Sequence, residues 1–190
     1  MKHCSSSLNI RAVFDNWYGF QDRLKHPAYK KVKETLFQEK GYCYFCQHPT
    51  TQMKERLEVI NLDQNYHNNK KENLALGCHF CSYVQHLNPL AEESLQDQYF
   101  IYLPAKSQQE LSYLYHDWQQ MIKRKESILE IKEALLELAS LSDQLHEVLG
   151  FSITFKDGLA LFMSSYRDNT VMSDIRWVPG FELLSYFGVK

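Results

Sequence analysis

The chain has 190 residues, 44% of them apolar, and a formal net charge of -2. That length fits one domain with at most a small appendage, and the apolar share suffices for a sizeable core. The near-neutral balance lacks the basic excess expected where duplex nucleic acid is the main ligand, since phosphate neutralisation supplies most of that affinity. The charge is nevertheless uneven: residues 1–56 carry 10 Lys/Arg against 5 Asp/Glu, and residues 57–150 carry 7 against 14. This asymmetry is compatible with a nucleic-acid face, a face for an acidic partner, or ordinary solvated surface. The start, MKHCSSSLNIR, lacks the apolar core and cleavage site of a secretory leader. No run approaches the roughly 18–20 apolar residues that span a bilayer. A soluble, cytoplasmic protein is expected.

In chain order, Leu8, Ile10 and Ala12 alternate with polar residues, and Asp15-Asn16 offers a turn into the aromatic run Trp17 to Phe20. The pattern predicts an N-terminal β-hairpin over 8–24. Pro27 and Gly41 bracket a helix over about 28–40, with Val32, Leu36 and Phe37 on one face and Lys30, Lys31 and Lys33 facing outward. A strand is expected over 57–62, an Asn- and Lys-rich loop over 63–73, a short extended piece over 74–76, and a helix from Cys81 to about Leu87, ended by Asn88-Pro89. The run Tyr99 to Leu103 has the composition of a buried strand closed by Pro104. Ser107-x-x-Glu110 is a capping box opening a helix whose Leu111, Leu114, Trp118 and Ile122 recur at helical spacing. A second helical stripe covers 126–149, through Ile128, Ile131, Leu135, Leu138, Leu145 and Leu149, with Gly150 as its stop. The pair reads as a helical arm that either packs on the rest or receives a partner. A short helix near 159–166 and an aromatic segment, 181–187, complete the tail. The expected division is 1–105 as a metal-bearing core with the hairpin, and 106–190 as helical arm and tail packing on it.

The strongest chemical signal is Cys43-x-x-Cys46 and, 31 residues on, Cys78-x-x-Cys81. Two residues between sulfurs let one tight turn offer both thiolates to the same ion. Four thiolates in a tetrahedron suit one Zn2+ and leave no open position, so the site is structural. Unliganded core cysteines, a redox dithiol and an iron–sulfur cluster are the other readings of such pairs. Cys4 is left over as a bystander thiol.

The intervening strand, loop and Asn73-Leu74, with the helix after Cys81, resemble the ββα-metal unit of HNH endonucleases, giving an α+β expectation: an HNH-like zinc-binding core with added helices and the short hairpin. Those enzymes need a His at the strand end as general base and a divalent ion held by a neighbouring Asp and a later His or Asn. Here Ile60 and Asn61 stand at the strand end, and Ser82 follows Cys81. Asn61 has no basic lone pair, and Ile60 cannot bind metal. Asn73 matches the family's middle Asn, whose role is to fix the loop by hydrogen bonding. A rearranged site from Asp63, His67 and His86 is the surviving route to an HNH-type endonuclease. A zinc-bearing nucleic-acid-binding module using the basic N-terminal third is the other alternative. His79, between its cysteines, is expected to be exposed or to support them from outside.

The particular residues Cys43-Tyr44-Phe45-Cys46, Val59-Ile60-Asn61-Leu62-Asp63, Tyr66-His67-Asn68-Asn69, Glu72-Asn73-Leu74, Cys78-His79-Phe80-Cys81 and Tyr102-Leu103-Pro104 resemble the DotN (IcmJ) family of the Dot/Icm type IVB secretion system. The likeness spans about 27–120, with Trp177-Val178-Pro179 in the tail. It implies an HNH-like zinc fold without nuclease activity, with metal ligands Cys43, Cys46, Cys78 and Cys81. It further implies an adaptor that holds the C-terminal region of the coupling ATPase DotL beside IcmS–IcmW and LvgA to help recruit effectors, at the inner face of the bacterial inner membrane.

Overall fold

The computed structural model describes residues 7, 8, 10–12, 14–52, 54–87, 97–150 and 170–187. Cys4, Asn88-Pro89 and the helix expected near 159–166 lie outside them. Among the described residues the fold is mixed α and β. Helices α1 (Phe14–Lys25) and α2 (Tyr29–Lys40) precede strand β1 (Leu57–Asn61), strand β2 (Leu74–Cys78) and helix α3 (His79–Gln85). Strand β3 (Gln98–Tyr102) is followed by α4 (Gln108–Lys123), α5 (Ile128–Ser140) and α6 (Ser142–Leu149). One helical turn at Thr170–Ser173 leads into β4 (Ile175–Pro179) and the terminal helix α7 (Phe181–Tyr186).

Two antiparallel ribbons organise these elements. β1 pairs with β2, Leu57 facing Cys78 and Asn61 facing Leu74, and β2 runs straight into α3. β3 pairs with β4, Gln98 facing Pro179 and Tyr102 facing Ile175. Helix α4 lies between the ribbons against α3 and β4, while α5 and α6 cover β3. One continuous apolar core runs through both ribbons and includes Leu57, Ile60, Phe80, Leu111, Leu145 and Trp177.

The expected hairpin over 8–24 is overturned. In its first half Leu8, Ile10 and Ala12 are buried, but Arg11 donates its N–H to Val84 O at 2.8 Å and its carbonyl accepts from Leu87 N–H at 3.1 Å, so it bonds to the end of α3 rather than to a second strand. Its second half is α1. Asp15 in the first turn and Arg23 and Lys25 in the last suit the helix dipole, and the aromatic run that read as a strand places Phe20 on the core side. Gly19 explains why this helix fits: a Cβ there would lie 2.8 Å from Tyr66 Cβ.

Other expectations hold with adjustments. α2 ends at Gly41, whose left-handed φ of 62° no β-carbon residue adopts cheaply. Lys33 is not outward-facing; its stem is mostly buried and its Nζ lies 4.0 Å from Glu58. The capping box forms in both directions, Glu110 N–H to Ser107 Oγ and Ser107 N–H to Glu110 Oε2. The stripe over 126–149 is two helices that break at Leu141, and Ile128 is exposed rather than packed.

The tail is pinned by buried amides that hydropathy does not reveal. Trp177, fully buried, donates Nε1–H to Gln98 Oε1 at 2.8 Å and its backbone N–H to Gln108 Oε1 at 2.8 Å. Its carbonyl accepts from Gln108 Nε2 and Tyr115 Oη. Gln119 holds α7 through the carbonyls of Leu184 and Phe187. Buried polar atoms need such partners, so each amide fixes one geometry.

Gly19→Ala is expected to lower the unfolding temperature even though Ala favours a helix interior by about 1 kcal/mol. The clash is with a β-carbon close to the backbone, which cannot swing away. Differential scanning calorimetry of the variant against the parent checks the sign.

Candidate metal centre and the adjoining strand end

Each pair of cysteines is delivered by a different local device. Cys43 and Cys46 lie on a turn closed by Gln47 N–H to Cys43 O at 3.1 Å and anchored to β2 by Tyr44 N–H to Leu76 O at 2.7 Å. Thr51 Oγ1 accepts from Cys43 N–H at 3.1 Å and donates to His48 O at 2.6 Å, bracing the turn from behind. Cys78 is the last residue of β2 and the N-cap of α3, where its Sγ accepts the Cys81 N–H at 3.5 Å.

The four sulfurs converge, all buried, with their Sγ atoms within 4.8 Å of one another. Cys46 and Cys78 are 3.7 Å apart at sulfur. A disulfide needs about 2.05 Å, and all four are free thiols. A tetrahedron with Zn–S bonds of about 2.3 Å has edges of about 3.8 Å. An iron–sulfur cube would hold its thiolates much farther apart. The donor set and spacing therefore fit a single tetrahedral ion. Burial pushes the Cys78 and Cys81 thiols well above their ordinary range, and hydrogen bonds with Cys43 and Cys46 add to it. At Cys43 burial acts the same way but is outweighed by hydrogen bonds from Cys46, Cys78 and Cys81, which hold it well below. A cation at the centre would stabilise all four thiolates at once.

A ring of aromatic and imidazole groups flanks the centre. His79 packs between Phe80, Phe187 and His116, and His116 stacks on His48 at 5.0 Å. His79 is partly buried rather than exposed. Burial, with Arg56 nearby, lowers it to about 4.

The strand end is a hydrogen-bonded plug. Asn61 is fully buried. Its Oδ1 accepts from Arg23 Nη2 at 2.5 Å, and its Nδ2 donates to the carbonyls of Asn65 and Asn68 at 2.7 and 2.8 Å. Asp63 Oδ1 accepts from Asn65 N–H at 2.9 Å and Asn73 Nδ2 at 2.8 Å, and its Oδ2 from Asn68 Nδ2 at 2.7 Å. Burial opposes ionisation of Asp63, but these donors prevail and lower it. Asn73 also accepts from Asp63 N–H and donates to Asn68 O, so it fixes the loop as expected. Ile60 is buried over Gly77.

The proposed rearrangement of Asp63, His67 and His86 does not assemble. Among the described residues, the only group of three or more metal-capable side chains is the four cysteines. His67 is exposed. His86 is buried and stacks on Phe20 at 4.3 Å. Its Nδ1 faces Ser82 O at 2.7 Å, so it carries the proton there; Nε2 accepts from Tyr66 Oη. Burial lowers this imidazole to about 3. Arg23, the residue that grips Asn61, escaped sequence reasoning because its position reads as part of a hairpin; helical spacing of Phe20 and Arg23 was the available signal.

No family model matches the chain. It is 29% identical over 110 residues to the type 4 apparatus protein DotN of Legionella pneumophila, a stretch covering 57% of this chain and 50% of that protein. The chain thus aligns with about half the length of the curated relative it matches, as a distant similarity. No helix among the described residues is long and apolar enough to cross a membrane.

Two outcomes follow from the plug. Asn61→Ala strips the Arg23 guanidinium and two loop carbonyls of their partner and should cost about 2–3 kcal/mol, read by urea unfolding. His86 titrates far below its unfolded value of about 6.5, so the unfolded chain takes up the proton first. Stability should therefore fall as pH drops from about 6.5 towards 3, with His86→Gln giving a slope shallower by about 1.4 kcal/mol per pH unit in the same series.

Proposed function

We propose that the chain is a non-catalytic, zinc-braced adaptor in a type IVB secretion coupling complex. Cys43, Cys46, Cys78 and Cys81 hold one structural Zn2+. The ion supplies rigidity, since four thiolates leave no coordination position for water or substrate. The carrying observation is the pairing of that saturated donor set with a strand end whose Asn61 is spent on loop hydrogen bonds. An HNH-like lobe, retained without a general base or a catalytic-metal site, is the reading that accounts for both. The ββα order of β1, β2 and α3 supports it.

The distant similarity to DotN supplies the cellular context. The partner is the C-terminal tail of a DotL-like coupling ATPase, with IcmS–IcmW and LvgA-like adaptors in the same assembly. The location is the cytoplasmic side of the inner membrane, reached through that partner. Residues 1–105 act as the braced lobe and 106–190 as the arm, with the β3–β4 ribbon as their seam. Leu129 and Leu136, 66% and 69% exposed and two helical turns apart on α5, give the arm apolar surface for another chain.

The test is affinity purification from native lysate, with supercoiled plasmid incubated beside the same preparation in Mg2+ or Mn2+. The expected result is a co-purifying membrane-anchored ATPase and intact plasmid. Plasmid nicking that His67→Ala removes would establish the endonuclease alternative, and retention of nucleic acid with steep salt dependence would establish the nucleic-acid module.

A further inference from the structure

Arg23 has an unusual set of partners. It is a half-buried cation, and every acceptor it meets is neutral: Val59 O at 3.2 Å, Asn61 Oδ1 at 2.5 Å and Asn69 Oδ1 at 3.1 Å. Among the described residues no carboxylate lies within ion-pair distance of it, and the adjacent Asp22 pairs with Lys25 at 3.7 Å. A guanidinium carries five N–H donors; three are engaged, so two are without a protein acceptor. The Tyr66 ring covers the cation at 4.4 Å, and desolvation holds its pKa below the ordinary value. A charge taken part-way out of water without a counter-charge is costly, and an anion supplied from outside removes that cost.

The space for such an anion is present. Arg23 lines a cleft of about 460 Å³ between α1, α2 and the loop end of β1, within the usual range for small-ligand sites. Tyr29, Val59 and Leu74 give it an apolar and aromatic floor, and the imidazoles of His26 and His67 stand at its mouth.

We propose that this cleft binds a monoanionic carboxylate carried on an apolar or aromatic body, with Arg23 meeting the carboxylate and Tyr29, Val59 and Leu74 meeting the body. A single guanidinium matches one carboxylate in charge, and its remaining Nε–H or Nη1–H, which lie on different edges of the group, can give it one direct hydrogen bond. A phosphate dianion needs more cationic charge than this, and the Asp22 carboxylate on the same wall repels it further. The site is separate from the cysteine centre, and the assignment does not depend on the coupling-complex reading.

The test titrates 3-phenylpropionate into the isotope-labelled full chain and follows amide shifts by NMR, with 3-phenylpropanol and thymidine 5′-phosphate as parallel arms. Saturable shifts around Arg23, His67 and Val59 are expected, with the acid binding about tenfold or more tighter than the alcohol. Arg23→Gln should erase that preference. Because this variant also loosens Asn61, Val32→Phe is the second arm: it fills the cleft from α2 without removing any Arg23 contact, and should abolish binding of acid and alcohol alike while the unfolding temperature holds. Equal affinity for acid and alcohol, shifts elsewhere on the surface, tighter binding of thymidine 5′-phosphate, or undiminished binding to Val32→Phe would each overturn the assignment.

Discussion

Convergence of four sulfurs on one buried point is the constraint from which the rest of this lobe takes its shape. A turn at Cys43–Cys46 and a strand–helix junction at Cys78–Cys81 are far apart in sequence, yet their Sγ atoms lie within 4.8 Å of one another. That closure sets the register of β1 on β2, because Cys78 is both the partner of Leu57 and a member of the cluster. It also fixes where α3 begins, since Cys78 is its N-cap. Phe80, on the first turn of α3, is fully buried and delivers the packing onto Tyr115 and Phe187 that joins the lobe to α4 and the tail. Burial opposes the thiolate form that a metal requires; a bound cation would offset that cost and crosslink the two halves of the lobe.

The loop beyond β1 solves a different problem. It is almost wholly polar, yet it has to close over the apolar strand end. Asn61, Asp63, Asn68 and Asn73 achieve this by satisfying one another and the loop carbonyls, with Arg23 reaching in from α1 as the remaining donor. Groups locked in such a network are poorly suited to proton transfer: Asn61 has no basic site, and Asp63 is stabilised as a carboxylate by donors it cannot release without opening the loop. His86 is likewise committed, held neutral between Ser82 and Tyr66 by burial.

Much of the local structure was legible in the residues, for reasons that can be named. Gly41 and Gly150 end helices because the chain there turns left-handed. Ser107 and Glu110 start one because their side chains reach the free N–H groups. The cysteine spacing announced the centre. The N-terminal segment misled because aromatic residues at close spacing serve a strand and a helix face equally well; the local helix signals, Asp15 at one end and Arg23 and Lys25 at the other, are weak, and the close approach of Gly19 to Tyr66 is long-range. The pinning of Trp177 by Gln98, Gln108 and Tyr115 was invisible for the same reason. Those glutamines are polar residues used inside the core, and hydropathy assigns them to the surface. The break at Leu141 between α5 and α6 left the apolar stripe intact, so periodicity ran across it.

The most direct measurement is X-ray absorption at the zinc edge on chain purified without added metal or chelator. The account predicts one zinc per chain with four sulfur neighbours at about 2.3 Å and no lighter ligand. A nitrogen or oxygen neighbour in the first coordination sphere, or a folded chain carrying no zinc, would contradict it.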